Sequence, residues 1–171
     1  MYNKWEKVGK NVLKFFPKNN KNFAKIMLIG EYIHTIDEKN RMSLPAKFRK
    51  ELGKKVIVTP GLDKCLFVFT LGEWKKVTEK LGSSTGELSF LKADQRTFNR
   101  NMFGQAVDVD IDSIGRILLP EFLKDRANLK NTGVVVGVQD RLEIWNEKTW
   151  QEYKKGAEKE AESLAEKLAG E

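Results

Sequence analysis

Polar and apolar residues alternate most cleanly at two places along the chain. EYIHTI (31–36) puts Tyr32, His34 and Ile36 on one face, and VDVDI (107–111) sets Val107, Val109 and Ile111 against Asp108 and Asp110. A period of two predicts a half-buried β-strand at each place. Each strand runs into a turn sequence, DEKN (37–40) or DSIG (112–115). An aspartate side chain accepts hydrogen bonds from nearby backbone amides, and Asn40 and Gly115 tolerate a positive φ. The chain is then expected to return as a strand, through Arg41-Met42-Ser43-Leu44 in one case and Arg116-Ile117-Leu118-Leu119 in the other. Pro45 and Pro120 end these strands and suit the first turn of a helix. Helix-like segments follow, AKFRKEL (46–52) and EFLKDRANL (121–129), and then β-branched runs, VIVT (56–59) and VVVGV (134–138). PGLDK (60–64) and QDR (139–141) mark second turns before the last strands, LFVF (66–69) and LEIW (142–145).

These paired elements form an internal repeat. IDEKNRMSLP (36–45) and IDSIGRILLP (111–120) share the pattern I-D-x-x-[NG]-R-[MI]-x-L-P, 75 positions apart. LFVF and LEIW, and then Trp74 and Trp150, recur at an offset of 76. Self-similarity of this length and order signals a duplicated structural unit: hairpin, short helix, two more strands. The expected organisation is an N-terminal extension (1–26), a first repeat (31–76), a helical linker (77–104), a second repeat (105–150) and a C-terminal helix (151–171). LGEWKKVTEKL, from residue 71, is expected to end before GSSTGE. ELSFLKADQRTFNRNMF then places Leu88, Leu91, Gln95, Phe98 and Met102 near one face. Residues 147–168 read as an amphipathic helix carrying Trp150, Tyr153, Ala157, Ala161, Leu164 and Leu168, weakened at Gly156 by about 1 kcal/mol relative to Ala.

Composition narrows the class. With 40% hydrophobic and 10% aromatic residues, the chain of 171 can build a core. No apolar run approaches the roughly 20 residues of a membrane-spanning helix, and no secretory signal is legible. One cysteine and one histidine exclude an intrachain disulfide and an ordinary zinc site. A reducing, cytoplasmic setting fits this. The net charge of +7 invites a nucleic-acid partner, but seven lysines against Glu6 put +6 of it in residues 1–26, leaving the remainder near neutral. Any claim about DNA therefore rests on local placement and not on bulk charge.

The local candidates are the two Asp-to-Arg turns. A guanidinium at the edge of a presented hairpin can clamp a phosphate or hold guanine through two hydrogen bonds, and β-ribbons do read the major groove. The competing reading is that Asp37 with Arg41, and Asp112 with Arg116, only staple their turns, as surface pairs of about 0.2–1 kcal/mol. Lys39 adds charge near the first tip, where the second has Ile114. Lys47 and Arg49 flank the first helix and can touch phosphates or form a solvated face. Arg96 and Arg100 fit intra- or intersubunit pairing better than DNA. Asp37, Asp112, Asn40 and Gly115 read as turn formers and orienters. His34 and Cys65 read as structural residues, and Trp74, Trp145 and Trp150 as core or interface anchors.

The stretch MLIGEYIHTIDEKNRMSLPAKFRKEL (27–52) resembles the start of MraZ-family transcription regulators. The second D-x-x-G-R motif (Asp112 to Arg116), VGVQDRLEIW, and Trp150 with Tyr153 extend the resemblance over about residues 27–155. It implies an α+β, β-rich fold of tandem AbrB-like (SpoVT-AbrB-type) swapped-hairpin units forming a double-split β-barrel, with linker and C-terminal helices. It also implies a ring-shaped homo-oligomer, associated with the nucleoid, that binds double-stranded DNA at short direct repeats upstream of a division and cell-wall operon, usually as a repressor of its own operon. It strengthens DNA-contacting roles for Arg41 and Arg116, beside which Lys39, Lys47 and Arg49 stand as candidates from their placement; no cofactor, metal, membrane or small-molecule substrate is expected. Asn40 departs from the glycine the family favours, but asparagine suits a left-handed position. Residues 1–26 lie outside the resemblance. They read either as preceding a native start at Met27, the preferred reading, or as a basic arm adding phosphate affinity.

Two other classes compete. One is a ring or scaffold that acts through protein contacts, its Asp–Arg turns only shaping the fold. The other is an enzyme using His34 and Cys65, against which the apolar surroundings of both argue.

Overall fold

A computed structural model of the chain describes residues 27–85 and 91–169. The extension 1–26, Leu88 and the side chains of Leu164 and Leu168 lie outside what is described. The chain divides into two units, one spanning Ile26–Gln151 and one taking in Glu152 onward.

The first unit runs β1 (Leu28–Thr35), β2 (Arg41–Ser43), α1 (Ala46–Leu52), β3 (Lys55–Pro60), β4 (Leu66–Thr70), α2 (Leu71–Thr85), α3 (Ala93–Met102), β5 (Val107–Asp110), β6 (Arg116–Leu118), α4 (Glu121–Arg126), β7 (Thr132–Gln139) and β8 (Leu142–Trp145). α5 (Glu147–Ala169) begins in it. The fold is α+β. Six antiparallel strands lie in the order β1-β7-β8-β4-β3-β5, and β2 and β6 form a separate two-stranded ribbon.

This order has pseudo-two-fold symmetry: exchanging each strand of one half for its counterpart in the other reverses the order onto itself. The first strand of each half pairs with the third strand of the other. Thr35 lies opposite Thr132 and Tyr32 opposite Val135, just as Asp110 lies opposite Lys55 and Val107 opposite Val58. β4 and β8 meet at the centre, and β2 and β6 cross with Met42 opposite Ile117.

The hairpin expected from the alternation is only one bridge deep. Ile36 bridges Met42, and Asp37 N–H donates to the Arg41 carbonyl at 3.0 Å. Beyond that the arms part, β1 to β7 and β2 to β6. Alternation tells a strand which face to bury but not which strand to pair with. Burial supplies the reason for the exchange: one core is built from both halves. Met42, Leu44, Phe48, Val56, Val58 and Leu66 pack with Ile117, Leu119, Leu123, Val135, Leu142 and Ile144. A smaller cluster of Cys65, Val134, Val136 and Trp145, with Phe67, Val138 and Trp150 against it, covers another part of the sheet.

α1 occupies the residues predicted for it. α4 stops at Arg126, short of the predicted Leu129, because Asn128 turns left-handed at φ 50° while Ala127 and Leu129 bury their side chains. α2 does not end before Gly82 as expected but continues to Thr85. Gly82 costs a helix about 1 kcal/mol relative to Ala, and it does not take the left-handed φ that would terminate one. α3 starts at Ala93 and buries Met102, whereas Leu91 and Phe98 of the expected apolar stripe are exposed. Trp74 packs at 5.6 Å from the Phe69 ring and 5.5 Å from Phe103. α5 matches the predicted C-terminal helix; Asn146 Oδ1 caps it by accepting from the N–H groups of Lys148 and Thr149, and Gly156 does not break it. In the second unit the described side chains of this helix are almost all exposed. No described helix is long and apolar enough to cross a membrane.

Candidate nucleic-acid interface

The two turns have the same internal geometry. Asp37 Oδ1 accepts from the N–H groups of Lys39 (3.0 Å) and Arg41 (2.9 Å), and Oδ2 accepts from Arg41 Nε at 2.8 Å. Asp112 Oδ1 accepts from Ile114 N–H (3.1 Å) and Arg116 N–H (2.8 Å), and Oδ2 accepts from Arg116 Nε at 2.8 Å. Each carboxylate is held below its ordinary range, first by the backbone N–H of its arginine and then by the guanidinium. Both aspartates therefore stay ionised, as the turn requires. The fourth residue is left-handed in each turn, Asn40 at φ 58° and Gly115 at φ 84°.

That conformation has a purpose across the repeat boundary. The Asn40 carbonyl accepts from Leu119 N–H and the Gly115 carbonyl from Leu44 N–H, both at 2.9 Å. Each turn is thus tied to the Leu-Pro that ends the other half's ribbon strand. Arg116 Nη1 comes within 3.8 Å of Asp37 Oδ2, so the two Asp–Arg pairs adjoin. On the ribbon Arg41 sits opposite Leu118 and Ser43 opposite Arg116, while Met42 and Ile117 between them are fully buried. Period two therefore turns Arg41, Ser43, Arg116 and Leu118 to the outer face. The two arginine side chains remain 36% and 24% exposed despite their staples.

The remaining predicted residues divide. Lys39 is exposed at the first tip. Lys47 is also exposed, reaching the Ile29 carbonyl at 3.4 Å. Arg49 is held differently: its Nε donates to the Leu44 carbonyl at 2.9 Å, and its guanidinium fills the space where a Cβ on Gly115 would stand. Its counterpart Lys124 was not among the sequence candidates. Lys124 Nζ donates to Asn40 Oδ1 at 2.6 Å. Large arginine over glycine in one half is answered by shorter lysine on asparagine in the other. Laying residue 124 on residue 49 at the repeat's own offset is the signal that finds Lys124, and the same offset lays Leu118 on Ser43. Arg96 Nη1 donates to the Leu91 carbonyl at 2.7 Å, away from the ribbon strands in sequence.

Of the two residues of the enzyme reading, Cys65 is poorly placed to act as a nucleophile. Cys65 is buried, donates to the Leu62 carbonyl at 3.1 Å, and burial pushes its thiol pKa far up, opposite to what a nucleophile needs. His34 is half-buried on β1, its pKa lowered by burial and then by the charge of Arg49.

Strand exchange between duplicated halves, with two aspartate-stapled arginines on a shared outward ribbon, defines a class of tandem-repeat β-ribbon proteins. Within that class the chain belongs to the MraZ protein family, whose model matches residues 27–101 and again 102–170. It is 45% identical over 142 residues to the transcriptional regulator MraZ of Caldanaerobacter subterraneus subsp. tengcongensis, covering 83% of this chain and 96% of that protein. The MraZ regulators of Moorella thermoacetica, at 46%, and Thermoanaerobacter sp. (strain X514), at 44%, match over the same shares.

Proposed function

We propose that the chain is a DNA-binding transcription regulator that meets double-stranded DNA with the β2–β6 ribbon. One observation carries the reading: Arg41 and Arg116, from different repeats, lie on one outward ribbon face, and Arg116 Nη1 lies 3.8 Å from Asp37 Oδ2, the aspartate that staples Arg41. A two-stranded ribbon fits the major groove, about 12 Å wide, and guanidinium is the side chain suited to guanine O6 and N7. The staples orient each guanidinium through Nε while partial exposure leaves it able to meet a ligand. Lys39 and Lys47 serve as phosphate contacts. Arg49 and Lys124 hold the turns, with Asp37, Asp112, Asn40 and Gly115 shaping them. The names of the relatives support the regulatory role.

The finer reading follows the family. Repeats 31–76 and 105–150 close with the ribbon into a double-split barrel, flanked by the linker 77–104 and the helix from 151. The chain assembles as a ring-shaped homo-oligomer in the cytoplasm, at the nucleoid, and represses its own operon through short direct repeats upstream.

The staples also favour a second reading, in which these arginines only shape a scaffold ring. Gel-shift binding to the chain's own upstream DNA, with scrambled duplex as competitor and a salt series, separates the two. Specific binding whose affinity falls with salt by about 0.9 log unit per log unit for each phosphate neutralised supports the regulator. Equal competition by scrambled duplex leaves the scaffold.

A further inference from the structure

The fold is symmetric about the ribbon, but its outward side chains are not. Residues 39, 43 and 47 of the first half are Lys39, Ser43 and Lys47, and their counterparts in the second are Ile114, Leu118 and Phe122. All three apolar residues are exposed, Leu118 by 54% and Ile114 by 58%. Leu118 sits directly opposite Arg41, on the same face of the ribbon. A ligand that accepts hydrogen bonds from Arg41 therefore also meets Leu118. An acceptor-rich surface with an apolar group beside it is what a major-groove base edge offers, and the apolar group there is the 5-methyl of thymine. Along the backbone the apolar groups are sugar C–H faces common to every nucleotide, whereas the methyl marks one base.

Resting on the reading of the ribbon as the DNA-contacting element, we propose that Leu118, with Ile114 at the tip of the same half, recognises a thymine 5-methyl group. Ser43 gives the first half a hydrogen-bonding group at the equivalent place. One chain thus reads two unlike half-sites from a symmetric scaffold, and its preferred site is not a palindrome.

The test uses the full chain. Duplexes are enriched from a random-sequence pool, and each thymine in the enriched duplex is replaced in turn by deoxyuridine, which removes only the methyl. One position should weaken binding about fourfold, the worth of one methyl withdrawn from water. That penalty should vanish in Leu118→Ser, which copies Ser43. Ser43→Leu should create a second methyl preference on the opposite half, and it decides the matter if Leu118→Ser does not fold. Failure to enrich any duplex overturns the DNA-binding reading and this inference with it. An enriched duplex whose binding needs Arg41 but carries no deoxyuridine penalty overturns this inference alone. So does a penalty that persists in Leu118→Ser. If Leu118→Ser lowers the assembly mass in light scattering and no thymine is sensitive, the patch is a subunit contact and the inference fails.

Discussion

Asp37 engages both carboxylate oxygens within the turn it begins, and Asp112 does the same. A carboxylate held below its ordinary value contributes stability that is fully present above that value and lost as pH falls through the lowered one. The turns should therefore be intact at neutral pH and loosen only on the acid side of the ordinary aspartate range. Asp37→Asn with Asp112→Asn should flatten the acid limb of the stability profile, measured by urea denaturation across pH. An unchanged limb would mean that the lowered values do not reach the folding equilibrium. One substitution separates the staple that Arg41 makes from the DNA contact proposed for it. Arg41→Ala should weaken specific DNA binding by about 1–3 kcal/mol if it makes one good base contact, with little change in denaturation midpoint, since an exposed pair is worth at most about 1 kcal/mol. Unchanged affinity in a well-folded variant removes the contact, and loss of folding favours the staple. Gly115 and Arg49 offer a sharper test, because the other half shows the alternative solution. Gly115→Asn should cost about 1–2 kcal/mol, as the new side chain meets Arg49 and breaks its hydrogen bond to Leu44. Adding Arg49→Lys recreates the Asn40 and Lys124 pair and should recover most of that cost in a double-mutant cycle. Strictly additive costs would refute the pairing.

At the level of elements, the turns and the ends of most strands were legible because they rest on local chemistry: aspartate at a turn, asparagine or glycine at a positive φ, proline after a strand. The partners of the strands were not. Every residue of β1 pairs with β7, and β2 with β6, and nothing in a period of two names a strand a hundred residues away. The same limit hid the roles of Arg49 and Lys124, each acting on the turn of the other half. α2 overran its predicted end because one glycine costs a packed helix too little to stop it. The exchange makes a firm prediction. Residues 27–85 alone would leave β1 without β7, β2 without β6, and the core without Ile117, Leu119, Leu123 and Leu142. This fragment should not exist as a stable folded monomer. Circular dichroism with light scattering checks it, and a cooperatively unfolding monomer would show that the halves do not depend on each other.

For the whole molecule, charge and contact surface separate. Seven of the lysines precede Met27, whereas the described body carries its candidate DNA-facing groups as a few placed side chains on the ribbon. Counterion release makes the two kinds of contribution distinguishable. A basic arm on the phosphates steepens the salt dependence of every duplex alike, while base recognition by the ribbon sets which duplex is preferred. A chain beginning at Met27 retains the full family-matched length and every residue of the β1–β8 core. It should fold and keep the assembly mass of the full chain in light scattering. It should also rank operator and scrambled duplexes in the same order. If residues 1–26 touch DNA, its slope of log affinity against log salt should be shallower by about 0.9 for each phosphate that the arm had neutralised, and non-specific binding should fall as much as specific binding. If they do not, the slope should be unchanged. A changed order of duplex preference would place base recognition in the segment before Met27, and the ribbon would lose its claim to specify sequence alone.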